Sequence, residues 1–178
     1  RAAKMLTDVA AVGVDSMLHV VADTTEMDSK QIQSILVAAI NHCEADVVLC
    51  GKQAADTNSG STGPGIASLM GAACVGMVSE VTVEGDDFSA LRASSMGNER
   101  VSVSRPCLFA FDKASTELRR PNVKGIMMAK RKVIETVSTD DLGINLKPAK
   151  ELGMTTIKVI DPDVALDELQ NFLDFNLL

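Results

Sequence analysis

A short apolar run between two helical segments constrains the fold of this chain more than any other feature. The run is DVVLC at 46–50, and it lacks the polar alternation of a strand with one face in water. Such runs are typical of parallel sheets that helices cover on both faces. Apolar residues recur at helical spacing from Ile32 to Ile40, and residues 62–72 are predicted to form a helix after the run. This order of elements predicts a doubly wound, mostly parallel α/β sheet.

The rest of the chain extends this alternation and interrupts it once. Three segments in the middle (79–83, 88–92 and 100–104) alternate apolar and polar residues between turns, which predicts an antiparallel hairpin insertion. The other predicted elements are helices at 2–12, 126–132 and 163–173 and strands at 16–22, 106–111, 133–137 and 155–160. We therefore expect residues 1–178 to form a single α/β domain. Because the chain begins in a helix, whereas doubly wound domains begin with a strand, we also expect the sheet to lack one strand within these residues.

Charge is distributed unevenly along the chain. The net charge is −7, yet residues 105–132 carry eight basic and two acidic side chains, a local charge of +6. This pattern predicts a surface for an acidic partner or ligand, although cations at the end of a solvated helix would produce it equally well. Nucleic acid is a poor candidate for that partner, because the remainder is acidic and the chain has five Phe and no Tyr or Trp for stacking on bases.

Cysteines, histidines and apolar segments argue against other classes of function. The four cysteines and two histidines are too scattered to predict a zinc site or a Cys-His nucleophile. Cys50 and Cys107 lie in apolar runs, which predicts small core side chains. No apolar run approaches the ~20 residues of a membrane span, so we expect a protein that is not membrane-embedded. Cysteines without a pairing pattern and the lack of a signal peptide indicate an intracellular compartment or an organelle matrix.

The segment after the buried strand is the strongest candidate for a binding site. Residues 51–65 are polar and glycine-rich, and ligands of doubly wound sheets bind beyond the carboxyl ends of the strands. Small residues let backbone N–H groups approach an anion, and the following helix adds the positive end of its dipole. Ser59, Ser61 and Thr62 offer hydroxyl donors, and Asp56 is a candidate acceptor for a ribose or adenine group. These features predict a nucleotide or phosphate site; the alternative is a capped loop without a ligand.

Three stretches of the sequence occur in an order that is specific to one family. They are GKQAADTNSGSTGPG, EVTVEGDDFSALRASSMGNERVSVSRPCLFAF and RRPNVKGIMMAKRKVIETVSTDDLGI. They resemble, in turn, the nucleotide loop, the hairpin with its following strand, and the partner-recognition loop with its basic helix in the electron transfer flavoprotein β subunit family. The resemblance implies a nucleotide-binding domain with an adenine-nucleotide α-hydrolase-like fold.

The resemblance also implies an electron carrier rather than a catalyst. Members of this family pair with an electron transfer flavoprotein α subunit, which holds most of the redox FAD. The pair carries electrons from acyl-CoA dehydrogenases of fatty acid β-oxidation, and from related dehydrogenases, to a quinone reductase. The β subunit binds a structural AMP, or a second FAD in some relatives. The implied location is the mitochondrial matrix of a eukaryote or the cytoplasm of a bacterium.

A first group of site residues follows from the resemblance by position. The implied cofactor-binding residues are Gly51, Lys52, Gln53, Ala54, Asp56, Asn58, Ser59, Gly60, Ser61 and Thr62. The family usually has a more acidic run at 57–58, and a Gln often preceded by Asn at 60–61. This chain has Thr57, Asn58, Gly60 and Ser61 there, so it lacks amide side chains whose hydrogen bonds are each worth ~1 kcal/mol.

A second group of residues lies in an implied partner-recognition loop near 113–132. Val123 stands where the family has an apolar anchor, and the alternative for Val123 is ordinary core packing. An exposed aliphatic side chain between cations suits a small, transient electron-transfer contact. The other implied recognition residues are Arg119, Arg120, Lys124, Ile126, Met127 and Lys130. The competing interpretation of the whole chain is a stand-alone adenine-nucleotide-binding stress or sensor module of related fold, which needs no α subunit.

Overall fold

The computed structural model describes residues 2–112, 119–139 and 141–142. The predicted strand at 155–160, the predicted helix at 163–173 and part of the recognition loop, 113–118, lie outside the described residues. The helices are α1 (Ala2–Ala10), α2 (Ser29–His42), α3 (Thr62–Met70) and α4 (Val123–Ala129). The strands are β1 (Leu18–Val21), β2 (Val47–Gly51), β3 (Ala73–Glu84), β4 (Asp87–Ser94), β5 (Gly97–Val103), β6 (Cys107–Phe111) and β7 (Glu135–Ser138). Not one of the described helices is long and apolar enough to cross a membrane.

The described strands form two sheets in an α/β fold. One has five strands in the order β2-β6-β3-β4-β5, in which β2, β6 and β3 are parallel and β4 and β5 continue antiparallel. The other is a parallel pair of β1 and β7. The predicted mostly parallel sheet with an antiparallel insertion is therefore confirmed. The division into two sheets was not predicted: β1 and β2 follow one another through α2, yet they do not pair.

Capping side chains decide where two of the helices begin. Asp28 accepts a hydrogen bond from the N–H of Gln31, and the Gln31 side chain accepts one from the N–H of Asp28, each at 2.8 Å. This capping box stabilises the start of α2. Helix α4 begins at Val123 rather than at the predicted Ile126, because Asn122 caps it by accepting a hydrogen bond from the Gly125 N–H at 2.7 Å. Val123 therefore lies in the first turn of a helix and not in a loop.

Strand β3 is longer than predicted because it has two different partners. It pairs in parallel with β6 through its first half and antiparallel with β4 through its second half. The register shifts between Val75 and Val78, and Met77 has a φ of +60° there. A β-bulge of this kind bends the strand and is common beside binding sites. It lies at the carboxyl end of β6, where the N–H of Asp112 donates to the carbonyl of Val78 at 3.1 Å.

Three apolar clusters hold these layers together. Strand β6 lies between two of them, since Leu108 packs with α2 and α3 while Phe109 packs with β3 and β4 on the opposite face. The rings of Phe88 and Phe109 meet edge to face at 5.8 Å. The third cluster joins α1 to α4 through Ala10, Met17 and Ala129. Cys107 is fully buried in the first cluster, as predicted, whereas Cys50 is half-buried at the edge of the second.

Candidate functional site

The loop between β2 and α3 lies at the carboxyl edge of the parallel strands. Strand β2 ends at Gly51 and β6 at Phe111, and these two residues are register partners. The N–H of Lys52 donates to the Phe111 carbonyl at 2.8 Å, so the ladder continues into the loop. Doubly wound sheets bind their ligands beyond this edge.

Hydrogen bonds within the loop give it a defined shape. The N–H of Ala54 donates to the carbonyl of Ser59 at 2.9 Å, and the N–H of Asn58 donates to the carbonyl of Ala54 at 3.1 Å. Gln53 Nε2 donates to Asn58 Oδ1 at 3.0 Å, and Asn58 has a φ of +55°, in the left-handed region that Asn tolerates. Because residues 53–62 are all exposed, the loop is a shaped surface turn open to a ligand.

Several predicted cofactor residues contact each other inside this loop. The carboxylate of Asp56 accepts the N–H of Thr57 at 2.8 Å, and the hydroxyls of Ser59 and Ser61 lie 3.4 Å apart. A Cβ on Gly60 would lie 3.1 Å from the carbonyl oxygen of Lys52, so glycine lets the chain fold back closely there. The predicted residues are thus gathered in one loop, with some of their polar atoms engaged internally.

Helix α3 begins at the end of the loop with its N-terminus uncapped. Its N-cap is Ser61, whose side chain makes no capping hydrogen bond. Pro64 has no N–H, and the N–H of Gly65 donates to the carbonyl of Ser61 at 2.9 Å. Uncapped helix N-termini attract anions, since free N–H groups and the dipole both present positive charge. The backbone of Thr62 and Gly63 is therefore the part of α3 suited to a phosphate.

Lys52, the cationic residue of the loop, forms an ion pair. Lys52 Nζ lies 2.7 Å from Oδ1 of Asp112, which directly follows β6. Of the described residues that directly follow β2 and β6 or lie in the loop, Lys52 is positive and Asp56 and Asp112 are negative. Anion binding here must therefore rely on backbone N–H groups more than on net charge. Asp112 was not among the predicted site residues, although an acidic residue directly after a predicted strand was a usable signal.

The predicted recognition residues lie on α4 and next to its two ends. Val123 is 75% exposed, so the alternative of core packing is wrong. Ile126 and Met127 are also exposed, and so is Met128, which was not predicted. The four cations that surround them are exposed as well: Arg119, Arg120, Lys124 and Lys130. We call these eight residues the α4 surface.

Backbone contacts hold the α4 surface against α1. Gly125 lies so close to the carbonyl of Ala11 that a Cβ there would fall far inside van der Waals contact. Lys132 Nζ donates to the carbonyls of Val14 and Asp15, so Lys132 is occupied and is not simply a solvated cation. Among the described residues, no hydrogen bond or ion pair joins the α4 surface to the 51–62 loop.

Most of the chain matches a known protein family. Residues 1–142 match the electron transfer flavoprotein domain. The chain belongs to this family. The resemblance predicted from the three sequence stretches is thereby confirmed.

Relatives in this family are named electron transfer flavoprotein subunit beta. The protein from Bacillus subtilis (strain 168) is 28% identical over 163 residues, which cover 90% of this chain and 63% of the relative. The Bos taurus protein is 30% identical over 155 residues, covering 85% and 59%. The protein from Thermoanaerobacterium thermosaccharolyticum is 32% identical over 153 residues, covering 85% and 53%. The chain thus spans about three fifths of the length of these curated relatives.

Proposed function

We propose that the chain serves as the β subunit of a heterodimeric electron transfer flavoprotein. In this role it pairs with an electron transfer flavoprotein α subunit and carries flavin electrons from acyl-CoA and related dehydrogenases to a quinone reductase. The observation that carries the proposal is the match of residues 1–142 to the family domain. On this proposal the chain is an electron carrier rather than a catalyst, in the mitochondrial matrix of a eukaryote or the cytoplasm of a bacterium.

An adenine nucleotide, AMP or a second FAD, is the proposed ligand of the 51–65 loop. The uncapped start of α3 supports this, because the N–H groups of Thr62 and Gly63 suit a phosphate. A Cβ on Gly63 would lie 2.9 Å from Sγ of Cys50, so glycine allows the helix end to approach the strand end closely. The hydroxyls of Ser59 and Ser61 are then candidate phosphate donors, and Asp56 is the candidate acceptor for ribose.

The redox FAD is proposed to lie mainly on the α subunit. Flavin rings pack well on aromatic faces, and this chain has no Trp or Tyr. Of the described Phe residues, Phe88 and Phe109 are buried in the core and Phe111 is half-buried in β6. The described residues therefore offer little on which to stack a flavin. The flavin supplies the electron-carrying chemistry, and this chain supplies binding surfaces around it.

The α4 surface is the proposed contact for an electron-donating dehydrogenase. It combines exposed Val123 and Met127 with flanking cations. Transient electron-transfer contacts are small and depend on one or two apolar anchors. Cations around the anchor speed the encounter with an acidic partner.

Co-purification with a candidate α subunit tests the proposed function. We expect a yellow one-to-one complex, from which mass spectrometry of the released nucleotides detects FAD and AMP. A colourless homodimer that retains an adenine nucleotide would contradict electron transfer and support the nucleotide sensor instead. A yellow complex without AMP or a second FAD would remove the nucleotide from the 51–65 loop.

A further inference from the structure

Helix α2 directs one buried amide side chain toward the loop. Gln33 is only 9% exposed and lies one turn before Val37, which is also buried. Its Nε2 donates a hydrogen bond to the carbonyl of Ser61 at 3.1 Å. Burying an amide destabilises a fold unless its polar atoms are hydrogen-bonded. The bond to Ser61 therefore offsets part of the cost of burying Gln33. The bond connects α2 to Ser61, where the loop ends and α3 begins.

Gly65 leaves the space that the Gln33 amide occupies. A Cβ built on Gly65 would fall far inside van der Waals contact of Cδ, Oε1 and Nε2 of Gln33. The carbonyl of Ser61 accepts two hydrogen bonds, one from Gln33 Nε2 and one from the Gly65 N–H at 2.9 Å. Both bonds act on the first turn of α3.

These contacts fix the start of α3 from two sides. The carbonyl of Ser61 is held from α2, and Gly63 is buried against Cys50 of β2. The exposed loop before Ser61 supplies mainly hydrogen bonds within itself. We propose that Gln33 is a positioning residue that holds the N–H groups of Thr62 and Gly63 in the direction needed to bind a phosphate. This role rests on the proposed nucleotide function of the loop.

The variant Gln33→Met tests the role because it keeps the side-chain volume and removes the donor. In the full chain we expect AMP to bind about fivefold more weakly, the effect of one neutral hydrogen bond. We also expect faster hydrogen exchange at the amide of Gly65, which donates to the same Ser61 carbonyl. The matched control is Gln31→Ala, which breaks the capping box of the same helix, where Gln31 hydrogen-bonds to Asp28. It should lower Tm without changing either readout.

The two readouts separate this inference from the proposed function. Unchanged exchange at the Gly65 amide in Gln33→Met would overturn the positioning role, whatever happens to AMP. If the unsubstituted chain binds no AMP but Gln33→Met still speeds the exchange, then Gln33 does hold the start of α3, and the nucleotide proposal fails together with the phosphate-binding purpose of that contact.

A pair of substitutions at Gly65 tests the geometry independently. Gly65→Ala alone must push the Gln33 amide aside and break its bond to Ser61, so we expect Tm to fall by roughly 2–4 °C. In a Gln33→Ala background the space is open, and alanine is the better helix former. There Gly65→Ala should leave Tm unchanged or raise it. Equal effects in the two backgrounds would show that Gln33 does not occupy the space beside Gly65.

Discussion

The ammonium of Lys52 lies 2.7 Å from a carboxylate oxygen of Asp112, and this pair bridges the ends of two adjacent parallel strands. Each residue directly follows its strand, so the pair marks the edge at which an anion is proposed to bind. Because the two side chains are 33% and 42% exposed, the pair contributes at most about 1 kcal/mol. A phosphate can therefore compete with Asp112 for Lys52.

Removing the carboxylate of Asp112 should strengthen nucleotide binding. In Asp112→Asn the ammonium of Lys52 is free and the edge loses one negative charge. We expect AMP affinity to rise about two- to fivefold by isothermal titration calorimetry, with a larger effect at low salt. The control is Asp46→Asn, which breaks a similar ion pair with Arg105 at the opposite end of the same strands. Weaker AMP binding in Asp112→Asn would show that Asp112 itself supports the site.

Gly125→Ala should destabilise the chain, although alanine normally favours a helix by about 1 kcal/mol over glycine. The added Cβ would meet the backbone carbonyl of Ala11, so α4 must move away from α1. We expect thermal unfolding to show a Tm lower by roughly 4 °C or more. Gly76→Ala is the control, because nothing lies within 4 Å of its Cβ position. Equal Tm changes in the two variants would contradict the close packing of α4 on α1.

Val123→Ala should slow electron acceptance without changing stability. The side chain is 75% exposed, so the free energy of unfolding should stay within about 0.5 kcal/mol. If Val123 is buried on a dehydrogenase, losing its methyl groups should slow reduction of the complex about fivefold in stopped-flow measurements at limiting concentration. Met96→Ala, at a 98% exposed turn residue between β4 and β5, is the matched control. Identical rates for the two variants would remove Val123 from the contact.

Stability should decline at alkaline pH because the thiols of Cys50 and Cys107 are shielded from water. Burial raises the pKa of the Cys50 thiol, with a smaller contribution from Cys74, and burial likewise raises the pKa of the Cys107 thiol. Above the ordinary thiol pKa of 9.0 the unfolded chain loses protons that the folded chain keeps. The free energy of unfolding is therefore steady below that pH and falls above it.

Urea denaturation at pH 8 and pH 10 measures this decline. The loss of stability between the two pH values should be smaller in Cys50→Ala than in Cys43→Ala, which removes an exposed thiol. Equal losses in the two variants would contradict the contribution of Cys50.

Local signals in the sequence were enough to place most helices and strands. The capping box of Asp28 and Gln31 and the apolar run at 46–50 each act within a few residues, so the sequence shows them directly. The start of α4 was also locally encoded by Asn122, but Gly125 interrupts the helix-forming residues and hid it. The two partners of β3 could not be predicted, because they depend on strands far away in the chain.

The difference between local signals and contacts with distant residues also applies to the candidate site. The loop was predictable because its residues are contiguous. Gln33 and Asp112 reach it from α2 and from the end of β6. Nothing near Gln33 in the sequence indicates a contact with the loop, whereas the place of Asp112 directly after a predicted strand was a usable signal. In the same way, the exposure of Val123 depends on how α4 packs on α1, which the sequence pattern left open.

The contact between Gln33 and Gly65 has a consequence for how this family can diverge. The two positions share one volume, and the amide fills it only while the other residue has no β-carbon. A relative with any larger residue at the position of Gly65 should therefore carry a shorter side chain at the position of Gln33. Over evolutionary time the two positions are expected to change as a pair, and an alignment in which they vary independently would contradict this.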